Sequence, residues 1–336
     1  MIDNVSKVSR SFPAFRIHSD RDKFSAGVEE MNLDDLSPGE VVIKVAYSSI
    51  NYKDALAGSG KGRILRQSPL NGGIDVAGYV ASSADPKFKE GDQVLCTGCG
   101  LSETRDGGYA EYARLQAQWT IPLPAGLTLR ESMILGTAGF TAGLSLYRMQ
   151  QNGQTPDMGP IVVTGASGGV GSLAIDMLTQ AGFEAHAISG KLDHFDDLIA
   201  LGAKQCILRK DLYWGQRPLE TSRWAGAIDN VGGDMLAGLT RVIHPYGNIA
   251  SCGNAASIDL ATTVMPFIIR GVSLLGIASA GTARTIRDEV WHHLASDWRP
   301  AHLDRIARRE VGLDGLAAVF DTMIAGGSVG RTVVKL

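Results

Sequence analysis

The chain predicts an α/β protein in which a β-rich domain is joined to a doubly wound parallel sheet, and three observations carry that expectation. Strand-like and turn-like segments fill the chain from Met1 to about Ala125. From Ile161 onward, short apolar runs alternate with helix-like runs, the pattern of a parallel sheet with crossover helices. The first of these runs, Ile161-Val162-Val163-Thr164, passes into a helix-like run through the glycines Gly165, Gly168, Gly169 and Gly171.

That glycine turn is where a ligand is expected. A β-branched run suits a strand buried on both faces, and small residues let backbone approach a pyrophosphate closely. The helix expected over 170–181 would point its first N–H groups and positive dipole end at the anion. The spacing only approximates GxGxxG, so a glycine turn that simply packs a strand against a helix stays open as a reading. Residues 183–189 alternate like a second strand, at the distance a βαβ unit requires. This strand ends in Ser189-Gly190-Lys191, where an NAD site would carry Asp or Glu for the ribose 2′-hydroxyl. A hydroxyl and a cation in that place favour NADPH over NADH, with Ser189 and Lys191 at the 2′-phosphate. The alternative for Lys191 is a solvated lysine at a helix start.

Composition narrows the function class. At 336 residues, 44% apolar and 20% charged, the chain is long enough for two domains with separate cores. A net charge of -3 and the lack of a long basic run offer no electrostatic footprint for nucleic acid or an anionic membrane. Residues 1–4 mix charge with polar side chains rather than opening an apolar signal core, and no apolar run reaches the length of a membrane span. A cytoplasmic protein acting on small molecules is expected. Cys96, Cys99, Cys206 and Cys252 are too few and scattered for a disulfide framework. Cys96-Thr97-Gly98-Cys99 has CxxC spacing, compatible with redox chemistry or half a zinc site; with no second CxxC or clustered His, the favoured reading is a turn after a strand.

Taken in order, 39–48, 73–82 and 91–96 read as strands. Between the first two lies Ser49-Ile50-Asn51-Tyr52-Lys53-Asp54-Ala55-Leu56, a polar cluster that departs from the surrounding alternation. Asn51 there either serves chemistry or caps a short helix carrying Lys53 and Asp54 on its wet face. Residues 58–66 form a glycine-rich cationic loop with Lys61, Arg63 and Arg66, able to meet an anionic substrate or remain solvated; the order GxxxxGK[ST] is missing. A helical region over 131–149 is interrupted by small residues from Gly136 to Gly143, which permit close packing on a cofactor or another helix. Further strands are expected at 205–208, 226–229, 247–251 and 273–277, then one amphipathic helical region within 285–336 and a closing strand at 332–335. Ligands of doubly wound sheets lie outside the carboxyl ends of the strands, which makes Asn254 and Ser279 eligible contacts.

These pieces resemble the zinc-free medium-chain reductases over essentially the full length. More narrowly, the motifs 49–56, 136–142, 163–172, 217–220, 224–229, 262–268 and 330–332 resemble the acryloyl-CoA reductase branch, often labelled quinone oxidoreductase. The resemblance implies a GroES-like catalytic domain over 1–125 and 275–336 and a Rossmann-type NADPH-binding domain over 126–274. It implies NADPH-dependent reduction of the carbon–carbon double bond of acryloyl-CoA to propanoyl-CoA by a homodimer. It places the cofactor on Tyr52, Thr141, Ser167, Gly168, Gly169, Val170, Ser189, Gly190, Lys191, Asn254, Ile268, Ser279, Gly326 and Arg331. Lys191 stands where the family often has Arg, Asn254 replaces an apolar residue, and Gly326 replaces Asn and so offers backbone only. Lys210 matches a family Arg near the adenosine phosphate, with Arg209 beside it leaving the register open. Zinc alcohol dehydrogenases, larger relatives, carry Gly-His-Glu where this chain has Gly73-Ile74-Asp75, and isoleucine cannot ligate zinc, so no metal is expected.

Reducing an enoyl thioester requires hydride at the β-carbon, donors at the growing enolate oxygen and a proton for the α-carbon. Tyr52 is the expected donor or ring-positioning residue, with Asn51 as its helper and Asp54 orienting Lys53 or a water. A half-buried structural tyrosine is the competing reading of Tyr52. Lys61, Arg63 and Arg66 are expected at CoA phosphates, on charge alone. Two other functions compete: reduction of quinones or small enones by the same chemistry, and a non-catalytic NADPH-binding sensor.

Overall fold

A computed structural model describes residues 11–20 and 23–336, so the segment 1–4 lies outside the described residues. Two compact units result, one formed by residues up to Thr137 with Ala280–Asp288 and Ala307–Leu336, the other by Ala138–Ser279 with Glu289–Ile306.

In the second unit the alternating segments form one six-stranded parallel sheet. Its strands are Ile161–Thr164, Ala185–Ser189, Ala203–Leu208, Trp224–Asp229, Ile243–Ser251 and Ser273–Gly276. Numbered within the unit, their spatial order is 3-2-1-4-5-6, so the order reverses between Ile161–Thr164 and Trp224–Asp229. A ligand crevice forms at such a reversal, because the crossovers on either side run to opposite faces and leave the strand ends uncovered. The glycine turn follows Ile161–Thr164 and opens the helix Gly169–Gln180. Gly171 is required by close approach: a Cβ there would stand 2.4 Å from the Gly165 carbonyl oxygen and 2.7 Å from Ala166 Cα. Val162, Ile188, Ala227 and Ile249 of four adjacent strands form the core with Leu236, Leu239 and Val242 of the helix Gly233–Val242.

The first unit is β-rich. A seven-stranded sheet contains Ala307–Val311, Arg331–Lys335, Val41–Ser49, Asp75–Ser83, Gln93–Thr97 and Ile121–Pro122 in that order, with Tyr112–Leu115 also paired to Val41–Ser49. A smaller antiparallel sheet joins Lys23–Met31, Phe12–Asp20 and Leu70–Asn71. The short helix Tyr52–Gly58 packs beside Leu316–Ile324, and their shared core includes Phe15, Ile17, Tyr109 and Phe320.

Three elements differ from expectation. The carboxyl-terminal segment holds three helices, Arg284–Leu294, Leu303–Ile306 and Leu316–Ile324, and the strand Ala307–Val311, rather than one helical region and a strand. Ala307–Val311 escapes the apolar signal because it is an edge strand whose middle is Arg308-Arg309-Glu310; an edge needs no alternation. The units also divide at Thr137 and Ala138, later than 125/126, because the start of the helix Leu129–Gln151 is held by Arg331 through the Ile134 carbonyl. Residues 289–306 join the second unit, where Trp291 stacks on Phe140 with centroids 6.3 Å apart. Among the described residues no helix is long and apolar enough to cross a membrane.

Candidate active site

In the first unit the polar cluster folds into a buried charge network. Asn51 caps the helix Tyr52–Gly58, its backbone N–H donating to Asp54 Oδ2 at 2.8 Å. Its side-chain amide donates to Asp75 Oδ2 at 2.7 Å and to Asp54 Oδ2 at 3.2 Å. Asp75 also accepts the Ser49 hydroxyl at 2.6 Å and both the amide and hydroxyl of Thr137, at 3.0 and 2.6 Å. Arg331 closes the network, donating to the carbonyls of Ile134 and Ile50 at 2.9 Å, to Asn51 Oδ1 at 3.2 Å and to Ser49 Oγ at 2.6 Å. The guanidinium lies 4.0 Å from Asp75, and Asn51 stands between it and Asp54. Desolvation raises the Asp54 carboxyl to about 7, and the neighbouring Asp75 pushes the same way.

Gly136 makes this packing possible. It adopts φ +50 inside the helix Leu129–Gln151, and a Cβ would meet Ser49 Oγ at 2.5 Å and Asp75 Oδ2 at 2.6 Å. A side chain there would displace the network.

Tyr52 stands outside it. The first residue of the helix, it is 47% exposed, and its hydroxyl takes no protein partner among the described residues. Asn51 is committed to the cap and to Asp75, which makes it a residue that positions the helix start. Lys53 pairs with Glu103 rather than with Asp54, so Asp54 does not orient it. Arg66 also binds Glu103, at 2.9 Å, while Lys61 and Arg63 are exposed. Arg331, placed with the cofactor residues by resemblance, is 3% exposed with its guanidinium occupied as described. Gly326 is an exposed glycine just past the helix Leu316–Ile324. Asp75, Thr137 and Tyr109, whose hydroxyl donates to the Ser49 carbonyl at 3.1 Å, carried no role in the sequence reading. Nothing in the local sequence Gly73-Ile74-Asp75 marks Asp75 as a hub.

In the second unit, the strand ends assemble the other expected residues. Ser167, Gly168, Gly169 and Val170 form the turn and first helical residues. The Ser167 and Ser189 hydroxyls lie 3.0 Å apart, and the Lys191 amide donates to Ser189 Oγ at 3.1 Å. Partial burial lowers the Lys191 ammonium below its ordinary value. Beyond Gly190 stands the Arg209 guanidinium, 3.3 Å from where a Gly190 Cβ would be. Arg209 and Lys210 are both exposed; Arg209 is the one shown to face the Ser189-Gly190 turn. Thr141 is buried. Asn254 follows the strand Ile243–Ser251, Ser279 follows Ser273–Gly276, and Ile268 is an exposed residue of the helix Met265–Arg270. The turn fits a dinucleotide phosphate on its own chemistry: backbone unobstructed by side chains, a helix N-terminus, two hydroxyls and two cations.

Comparison with known proteins agrees with this architecture. Residues 37–125 match the alcohol dehydrogenase GroES-like domain. The chain is 44% identical over 330 residues, 98% of its length and 100% of the other, to a Bacillus subtilis protein named quinone oxidoreductase YhfP. This chain is a medium-chain dehydrogenase/reductase. Acrylyl-CoA reductase AcuI of Ruegeria pomeroyi is 40% identical over 94% of this reductase and 95% of its own length. The yhdH oxidoreductase of Salmonella enterica, solved in complex with NADP, superposes with a TM-score of 0.93 at 42% identity, over 96% of this chain and 99% of that one. The Bacillus protein, solved with NAD bound, gives 0.94 over 98% and 100%. The reductase thus has the GroES-like and Rossmann-type halves of its family.

Proposed function

We propose that this reductase uses NADPH to reduce the carbon–carbon double bond of acryloyl-CoA to propanoyl-CoA. The observation that carries the reading is an unpartnered, half-exposed Tyr52 hydroxyl on a helix start that Asn51, Asp54, Asp75 and Arg331 hold rigidly. When bound, NADPH supplies the hydride. Tyr52 donates a hydrogen bond to the enolate oxygen as negative charge grows there, and a fixed helix start keeps that donor aimed without reorganisation. Ser167 to Val170 take the pyrophosphate on backbone amides. Ser189, Lys191 and Arg209 take the 2′-phosphate, where an NAD site would carry a carboxylate. Lys61 and Arg63 meet the CoA phosphates, Arg66 being shared with Glu103.

The name of the Bacillus relative supports a second reading, the reduction of quinones or small enones at the same site. Parallel assays of nicotinamide oxidation with acryloyl-CoA, crotonyl-CoA and a benzoquinone decide between them. Preference for acryloyl-CoA is expected, and turnover of the quinone alone discards the CoA reading. No turnover with any of them leaves the NADPH-binding sensor.

We propose a homodimer as well, in the cytoplasm. The strand Ser273–Gly276 is an edge of the parallel sheet, and Val264, Ile269 and Leu274 nearby in the chain are exposed apolar residues. Light scattering should give twice the mass of the chain; a monomer at all concentrations refutes this.

A further inference from the structure

The strand Gln93–Thr97 leads into Cys96-Thr97-Gly98-Cys99. Gly98, Cys99 and Gly100 have φ of +71, +53 and +81, three left-handed residues in succession. The turn sets Cys99 three residues past Cys96, and the two thiols act on each other's proton affinity. Cys99 is not a glycine, so its left-handed backbone is held by its surroundings. Its amide donates to the Ala280 carbonyl at 3.3 Å.

The two thiols are unequal. Cys96 is fully buried, whereas Cys99 lines a cavity of about 840 Å³ with Trp119, Ala280, Arg284 and Arg287. The Cys96 thiol lowers Cys99 to about 7, against the pull of burial, with Arg287, Arg105 and Arg284 acting in the same direction. Arg287 is anchored to the Thr97 carbonyl and hydroxyl at 2.9 and 3.0 Å. Arg105 stacks over Trp119 at 3.9 Å and has a buried Nε without a hydrogen-bond partner. Arg284 is paired with Asp288, and Asp85 also lines the cavity. Burial raises Cys206 and pushes Cys252 up to about 12. Among the described residues no group of three or more His, Cys, Asp or Glu is placed to hold a metal ion, so the pair is not part of such a set.

We propose that Cys96 and Cys99 are a hydroperoxide-reactive dithiol, Cys99 the attacking sulfur and Cys96 the resolving one. The Cys99 thiolate attacks one peroxide oxygen; an S–O bond forms as O–O breaks, and the departing alkoxide or hydroxide takes a proton. The Cys96 thiol then attacks the Cys99 sulfur; S–S forms, S–O breaks, and the hydroxyl leaves as water with the Cys96 proton. Dithiol and hydroperoxide become disulfide, alcohol and water. A stable adduct with a soft electrophile would need no second thiol. Cys96 lies outside the cavity lining, and Cys99, which lines it, is the thiol that acts on it most strongly.

The test is peptide mass mapping of the reduced full chain after one equivalent of hydrogen peroxide, with remaining thiols blocked by iodoacetamide. The expected product is one peptide lacking two hydrogens, with Cys96 and Cys99 both unalkylated and Cys206 and Cys252 fully alkylated. Without peroxide, Cys99 should alkylate at neutral pH about sixfold faster than a thiol titrating at 9.0, its larger thiolate fraction outweighing lower nucleophilicity. In Cys96→Ser, dimedone should trap a sulfenic acid on Cys99. Oxidation of Cys206 or Cys252 as fast as Cys99, or over-oxidation of Cys99 with Cys96 still alkylatable, overturns the proposal; both are read on the unsubstituted protein.

Discussion

Asn51 Nδ2 donates to Asp75 Oδ2 at 2.7 Å, across 24 positions of sequence, while the Asn51 Oδ1 accepts from Arg331, 280 positions away. One amide thus links the carboxylate and the guanidinium of the buried network, and the start of the helix that carries Tyr52 is held by both.

Arg331→Met should destabilise the protein by about 3–5 kcal/mol, because it leaves the buried Asp75 carboxylate without its cation. Denaturant unfolding measures it. Asp75→Asn in the same background should recover part of the loss, since the remaining buried charge goes with it; a loss below about 1 kcal/mol would show that the network is not what holds this region.

Asp54 makes stability depend on pH in an unusual direction for a carboxyl group. Its folded value of about 7 lies above the ordinary aspartate value of 3.8, so between the two the folded state holds a proton that the unfolded state has released. Stability from this group is fully present below the unfolded value and is lost as pH rises from about 4 to about 7, by at most about 4 kcal/mol. Asp54→Asn should flatten that slope, gaining on the parent as pH rises from about 4 to about 7. Equal slopes in the two proteins would contradict the assignment.

Arg209 and Lys210 separate cleanly. Arg209→Ala should raise the KM for NADPH about 10- to 100-fold and leave that for NADH nearly unchanged, the loss of one charge-assisted contact to phosphate. Lys210→Ala should change both by less than about threefold. The reverse pattern would return the adenosine phosphate to Lys210. Ser189→Asp should move preference towards NADH by introducing the ribose-binding carboxylate.

Tyr52→Phe should lower kcat about 100-fold or more with little change in the KM for NADPH, as expected for a donor engaged when charge develops. Full turnover by this variant would remove Tyr52 as the donor. Lys61→Ala with Arg63→Ala should raise the KM for acryloyl-CoA and leave kcat near the parent value, a pattern of binding without chemistry.

Local chemistry made much of this protein legible in one dimension. The β-branched run, the glycine turn and the helix after Thr164 are visible because period and turn propensity act over a few residues, and Ser189 is informative because a hydroxyl stands where a carboxylate would be. Asn51 as a helix cap was readable for the same reason. Folding alone decided what depends on distant segments meeting: Asp75 as the hub, Arg331 as a buried clamp, and Lys53 turned to Glu103. It also decided which of two adjacent cations faces Gly190, since neighbouring residues past a strand point in different directions. Sequence spacing specifies which face or end of an element a residue occupies; which partner waits there is settled by strand order and packing.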